Sequence, residues 1–182
     1  MQVILCLLLM VGFSAARTSR ETPPRILHED EFSVVGIEVR TSNAKELTSE
    51  GVIGKQWQRF FQEGVLQKIP NKASDNIYAV YSDYASDRNG EYSFTLGATV
   101  LPGSAPPAGF VLKKVHAGNY AVVASEKGPS VKVVPQTWQR IWLMEDQHEL
   151  GGARAYRTDF ELYDERAGDP QNAQVDLYIG LK

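Results

Sequence analysis

Apolar residues in this chain follow two different periods, and the two alternate in a fixed order. In "FSVVGIEVR", "NIYAVYSDY", "EYSFTLGATV", "GNYAVVASEKG", "RAYRTDFELYD" and "QVDLYIGLK" hydrophobic and polar side chains take turns with a spacing near two, the pattern of β-strands. In and around "GKQWQRFFQEG" and "VPQTWQRIWLMED" the apolar positions instead fall three and four apart. They are Ile53, Trp57, Phe60 and Phe61 in the first stretch, and Val134, Trp138, Ile141 and Trp142 in the second. Each helical stretch follows one strand-like run and precedes two more, which predicts two consecutive βαββ units. The tripeptide Trp-Gln-Arg, starting at Trp57 and again at Trp138, marks the helices as copies of one another.

Turn chemistry divides the chain in the same places. Asn89-Gly90, between Tyr84 and Tyr92, predicts a type I′ hairpin joining the last two strands of the first unit. The Pro- and Gly-rich "LPGSAPPAGF" separates the units, so the repeats are expected at about 32–101 and 109–182. A helix with one apolar face must be covered, and each unit can cover it with one side of its own sheet. Alternation in "RAYRTDFELYD" assigns Tyr156, Thr158, Phe160 and Leu162 to that side and leaves Arg157, Asp159, Glu161 and Tyr163 opposite. In the neighbouring runs Val175, Leu177, Ile179, Tyr78 and Val80 read as inward, and Asp176, Tyr178, Tyr81 and Asp83 as outward. On this reading the helix-free face holds Glu161 among aromatic rings, with Arg157 near enough to screen it.

Charge and composition exclude several functions. The net charge is −3 and the pI about 5.6, with Lys and Arg scattered, so there is no electrostatic footprint for nucleic acid. The histidines, His28, His116 and His148, lack ligand spacing, and no metal or other cofactor is expected. The one cysteine, Cys6, falls in "VILCLLLMVGF", an uncharged run of signal-peptide length followed by "SAAR". Ser14 and Ala16 there suit cleavage after Ala16, and the run is too short to span a bilayer. A signal peptide at 1–16, a polar linker at 17–31 and a folded domain at 32–182 are therefore expected. The mature protein would be secreted or periplasmic, carry no thiol, and not stay inserted in a membrane.

"IYAVYSDYASDRNGEYSFTLGATV", followed by "RAYRTDFELYDE" and "VDLYIGLK", resembles the gyrase-inhibitor-like small-molecule-binding superfamily, in particular its integron-associated, AraC-type effector-binding domains. The resemblance runs from Phe32 to Lys182. It implies an α+β fold of two pseudo-symmetric βαββ repeats, whose antiparallel sheets form a cleft with the helices packed on the far side. It also implies that the cleft takes amphipathic, often cationic, organic molecules, with Glu161 as the acidic residue. Tyr81, Tyr178, Tyr163 and Trp138 are the expected aromatic contacts, and no catalytic residue is assigned. Many relatives fuse this domain to a helix-turn-helix segment; here only the signal and linker precede Phe32, so a binding module without a DNA-reading part is expected. The alternative is a hydrolase of reactive small molecules with Glu161 as general base toward water.

The export reading has a direct check. Terminal sequencing of the native protein should find a mature chain beginning at or near Arg17 and recovered outside the cytoplasm; soluble cytoplasmic protein with Met1 intact would overturn it.

Overall fold

The computed structural model describes residues 23–182. Its strands are β1 (Arg25–Glu29), β2 (Phe32–Ser42), β3 (Ile77–Ser82), β4 (Glu91–Val100), β5 (Val111–Val115), β6 (Gly118–Ala124), β7 (Arg154–Tyr163) and β8 (Asp176–Leu181). The helices are α1 (Asn43–Glu46), α2 (Ile53–Gln62), α3 (Val65–Lys68) and α4 (Ser130–Asp146). The two repeats are thus β2-α2-β3-β4 and β6-α4-β7-β8. All strands join one antiparallel sheet in the order β1-β6-β8-β7-β3-β4-β2-β5, so the half-sheets of the two repeats fuse edge to edge through β3 and β7. The class is α+β, as the alternating periods require.

A short strand precedes each repeat and pairs with the first strand of the other: β1 lies on β6, and β5 on β2. β1 corrects the sequence reading, because it falls inside the stretch taken as a linker. Its five residues, "RILHE", are mostly exposed and carry too little apolar signal to be distinguished from a polar lead-in. The expected signal peptide lies outside the described residues.

These two exchanged strands also fix the curvature. Asp30 and Glu31 alone connect β1, at one end of the sheet order, to β2 near the other; His116 and Ala117 alone connect β5 to β6. Three peptide steps reach at most about 11 Å, so the sheet must curl until its ends approach. The contact of Phe32 in β2 with Phe160 in β7, ring centroids 5.5 Å apart, bridges the two intervening strands. Inside the curl lie Val34, Val80, Tyr120, Phe160 and Tyr178, with Leu27, Phe32 and Tyr78 closing over them. The convex face carries the helices on a larger core that includes Val35, Ile37, Phe60, Leu96, Ile141 and Leu177.

Both faces are therefore buried, and this overturns the facing expected for β3 and β7. Tyr78, Val80, Phe160 and Leu162 fill the concave side, away from the helices, whereas Tyr81, Asp159 and Glu161 point toward them. Leu177 and Ile179 do face the helices, and Tyr178 the other side. A sheet covered on both faces shows no apolar contrast between alternate positions, so the larger hydrophobe is no guide to the helix side. The hairpin joining β3 to β4 also differs from expectation. Asp87 accepts the Asn89 N–H on its side chain at 2.8 Å and the Gly90 N–H on its carbonyl at 3.0 Å. Neither Asn89 nor Gly90 takes the positive φ that a type I′ turn requires.

Glycine recurs at the same place in both repeats because backbones crowd there. A Cβ on Gly97 would fall 2.0 Å from the Val35 carbonyl oxygen, and one on Gly180 2.6 Å from that of Thr158. Gly97→Ala is expected to cost about 1–3 kcal/mol or more by overpacking, lowering the thermal midpoint by several degrees. Gly54→Ala in α2, where a Cβ meets nothing within 4 Å, should instead hold or raise it. Equal midpoints for the two variants in thermal unfolding would show that the crossing at Gly97 yields without cost.

Candidate functional site

One row of side chains crosses the convex face of the sheet: Ile37, Leu96, Ala79, Glu161, Leu177 and Val123, each opposite the next on adjacent strands. Five are apolar and one is a carboxylate. Glu161 is 1% exposed, and the small side chain of Ala79 opposite leaves room for partners to reach it. Its Oε1 accepts the Tyr81 hydroxyl at 2.7 Å and the Trp138 indole N–H at 2.6 Å, and its Oε2 accepts the Tyr163 hydroxyl at 2.7 Å. β3, α4 and β7 supply one donor each. All three donors are neutral, and among the described residues no cation lies within ion-pair distance of Glu161.

Burial raises the pKa of Glu161 above the usual carboxylate range, while the bonds from Trp138, Tyr81 and Tyr163 pull it partly back. Tyr81 and Tyr163 are in turn held well above the ordinary phenol value, first by burial and then by the Glu161 charge, so both stay protonated and donate.

Aromatic rings surround these groups. Tyr81 meets Trp138 edge-on at 4.9 Å, and Trp57 of α2 meets Tyr163 at the same distance. α4 thus covers one side of the carboxylate and α2 the other. α2 is seated at its start by Glu46, whose carboxylate accepts the Val52 and Ile53 N–H groups at 3.0 and 3.1 Å. Gly64, left-handed at φ 59°, turns the chain out of it into α3. Phe61 stacks on the outer side of Trp57 and is 64% exposed.

A second buried acid lies two residues away on the same face. Asp159 Oδ2 accepts the Tyr84 hydroxyl at 2.6 Å and Arg154 Nη2 at 2.7 Å, and Oδ1 accepts the Gly180 N–H at 2.8 Å. A β-bulge between Arg154 and Asp159, with Tyr156 at φ 53°, breaks the alternation and brings Arg154 inward. The guanidinium sits over the rings of Tyr156, Trp138 and Tyr84, at 4.4, 5.5 and 5.7 Å from their centroids. One of the two acids is matched by a cation and the other is not.

Of the residues expected at the site, Glu161, Tyr81, Tyr163 and Trp138 come together. Tyr178 does not: it stacks on Phe160 at 4.3 Å inside the concave core. Arg157, expected beside Glu161, is exposed and borders a surface hollow of about 530 Å³ with His28, Asn119 and Lys182. Sequence reasoning missed the Asp159–Arg154–Tyr84 cluster. Asp159 was visible as the alternate position before Glu161, but the bulge that turns Arg154 inward left no signal.

Two βαββ repeats fused into one curled antiparallel sheet, with the helices on its convex face, form the frame that effector-binding proteins of this fold share. Residues 25–181 match the integron-associated effector binding protein family, Cass2, and the chain belongs to that family. YobU of Bacillus subtilis (strain 168) is 34% identical over 158 residues, covering 86% of this chain and 96% of that protein. The integron cassette protein of Vibrio cholerae shares the fold with a TM-score of 0.66 at 24% identity, covering 88% of this chain and 96% of the other. SAV2435, solved bound to tetraphenylphosphonium, gives a TM-score of 0.72 at 21% identity, covering 88% of this chain and 94% of the other.

Tyr163→Phe removes the one donor to Glu161 Oε2 and keeps the ring. It should cost about 1–3 kcal/mol, the penalty of a buried acceptor left unpaired, and the loss should shrink as pH falls and the carboxyl takes up a proton. Tyr178→Phe should lack that pH dependence. Urea unfolding of both variants at two pH values tests the contrast, and matching profiles would remove Tyr163 from the carboxylate's support.

Proposed function

We propose that this protein is an exported, non-catalytic binding module for an amphipathic organic cation, with Glu161 as counter-charge and Tyr81, Trp138, Tyr163 and Trp57 as aromatic walls. The observation that carries this reading is a carboxylate in the middle of an apolar row, held by three neutral donors and no cation. Such a group gains from an incoming positive charge, because the attraction strengthens as water is displaced. Each ring faced by the cation adds about 0.5–2 kcal/mol. Access requires the aromatic cover to part, since Glu161 is enclosed. The tetraphenylphosphonium bound by SAV2435, a protein of the same fold, has this chemistry: one positive charge inside an aromatic shell. Export is proposed from the apolar run and "SAAR" at the start of the chain. The hydrolytic alternative needs a free carboxylate oxygen to take a proton from water; with both oxygens already accepting hydrogen bonds, Glu161 is better suited to charge recognition than to proton abstraction.

Glu161→Gln keeps shape and lets the new amide donate to Tyr163 while removing the charge. It should weaken tetraphenylphosphonium binding by about 1–3 kcal/mol and leave neutral triphenylphosphine oxide almost unaffected. The raised folded-state pKa means that the protonated carboxyl stabilises the free protein. That contribution is complete below the unfolded-state pKa and is lost as pH rises through the folded one. The free wild type should therefore lose stability over that window and bind the cation more tightly, and Glu161→Gln should do neither. Calorimetric titration across pH decides; equal losses for the two ligands would reject Glu161 as the counter-charge.

A further inference from the structure

Given Glu161 as counter-charge, we propose that the Asp159–Arg154 pair sets the charge number of the ligand, making the site selective for monocations over dications, with Arg154 as the specificity-determining residue. Positions 159 and 161 lie on the same face of β7, about 7 Å apart along the strand, and both carboxyls are buried. Without Arg154 the site would present two acids behind one aromatic wall. With it, Asp159 is matched by a guanidinium whose side chain is 2% exposed, and one negative charge is left over.

Trp138 couples the two acids. Its N–H donates to Glu161 while its ring lies 5.5 Å from the Arg154 guanidinium. A ligand held against Trp138 by one positive charge would bring a second charge toward Arg154 and meet repulsion. In the outer layer Glu145 and Arg88 offset each other, and the remaining charge, on Asp146, is exposed to water. Glu145 faces Arg154 at 3.4 Å and takes the Tyr156 hydroxyl, while Arg88 reaches both Glu145 at 4.0 Å and the exposed Asp146 at 2.8 Å.

The test uses the full mature chain and two probes on the same two-ring frame, N-methyl-4-phenylpyridinium with one charge and N,N′-dimethyl-4,4′-bipyridinium with two. The wild type should bind the first at least about tenfold more tightly, a difference of about 1.4 kcal/mol. Arg154→Met should narrow or reverse that ratio, and Asp159→Asn, which leaves the guanidinium unmatched, should weaken both probes. The double variant should bind the monocation more tightly than Asp159→Asn does. If Arg154→Met fails to fold, the comparison of Asp159→Asn with the double variant still decides. Equal wild-type affinities for the two probes, a folded Arg154→Met with an unchanged ratio, or a double variant no better than Asp159→Asn would overturn the proposal. A wild type that binds neither these probes nor tetraphenylphosphonium would instead overturn the reading of Glu161 on which it rests.

Discussion

The pairing of β3 with β7, from Ile77 opposite Tyr163 to Ser82 opposite Thr158, is the contact on which the rest of the molecule depends. Either repeat alone would end its sheet in an unpaired edge with one apolar face toward water. Joined, the two edges become the centre of an eight-stranded sheet, and the curl imposed by the two-residue links buries the concave side as well. A residue at this position is enclosed on whichever face it points to. Glu161 is therefore buried by the architecture itself, and the same register sets Ala79 opposite it and brings Tyr81 alongside.

Burial at that point is expensive for a carboxylate, on the order of several kcal/mol after relaxation. Hydrogen bonds to a charged group return about 1.5–3 kcal/mol each, so the three donors are of the right size to offset that cost. What imbalance remains leaves the pKa of Glu161 raised, because burial outweighs the three bonds. Asp159 is held differently. It has a full counter-charge, a phenol and a backbone N–H, and the charges at that pair are already matched. Of two neighbouring acids on one strand, one is thus matched by a cation and the other held by neutral donors alone.

The α+β class, both long helices and the repeat were legible because each rests on a period that spans many residues. Tyr81 and Tyr163 were legible as companions of Glu161 through alternation, which grouped them on one face of the sheet but turned that face away from the helices, whereas Trp138 came only with the resemblance. The reason is physical: Phe160 and Tyr178 are buried on the concave face as Leu177 is on the convex one, and alternation reports burial contrast only. Short or irregular elements left still less trace. β1 is an exposed edge of five residues, and the bulge that turns Arg154 inward depends on the left-handed Tyr156, a conformation that no residue type there announces.

The repeat also explains why the chain has one such centre and not two. Val80 and Phe160 pair directly with each other, so the pseudo-twofold axis passes between them and relates residues 80 positions apart. Tyr81 is then the counterpart of Glu161, and Ala79 the counterpart of Asp159. A symmetric pair of repeats would crowd two carboxylates of each kind around the axis, without the phenol of Tyr81 between them. Here the second copy carries both acids, while the first has at the matching positions a phenol that donates to its own counterpart and a methyl group that makes room. The departure from symmetry is what gives a repeated fold one such carboxyl centre, and it places that centre near the axis, where both halves contribute to it.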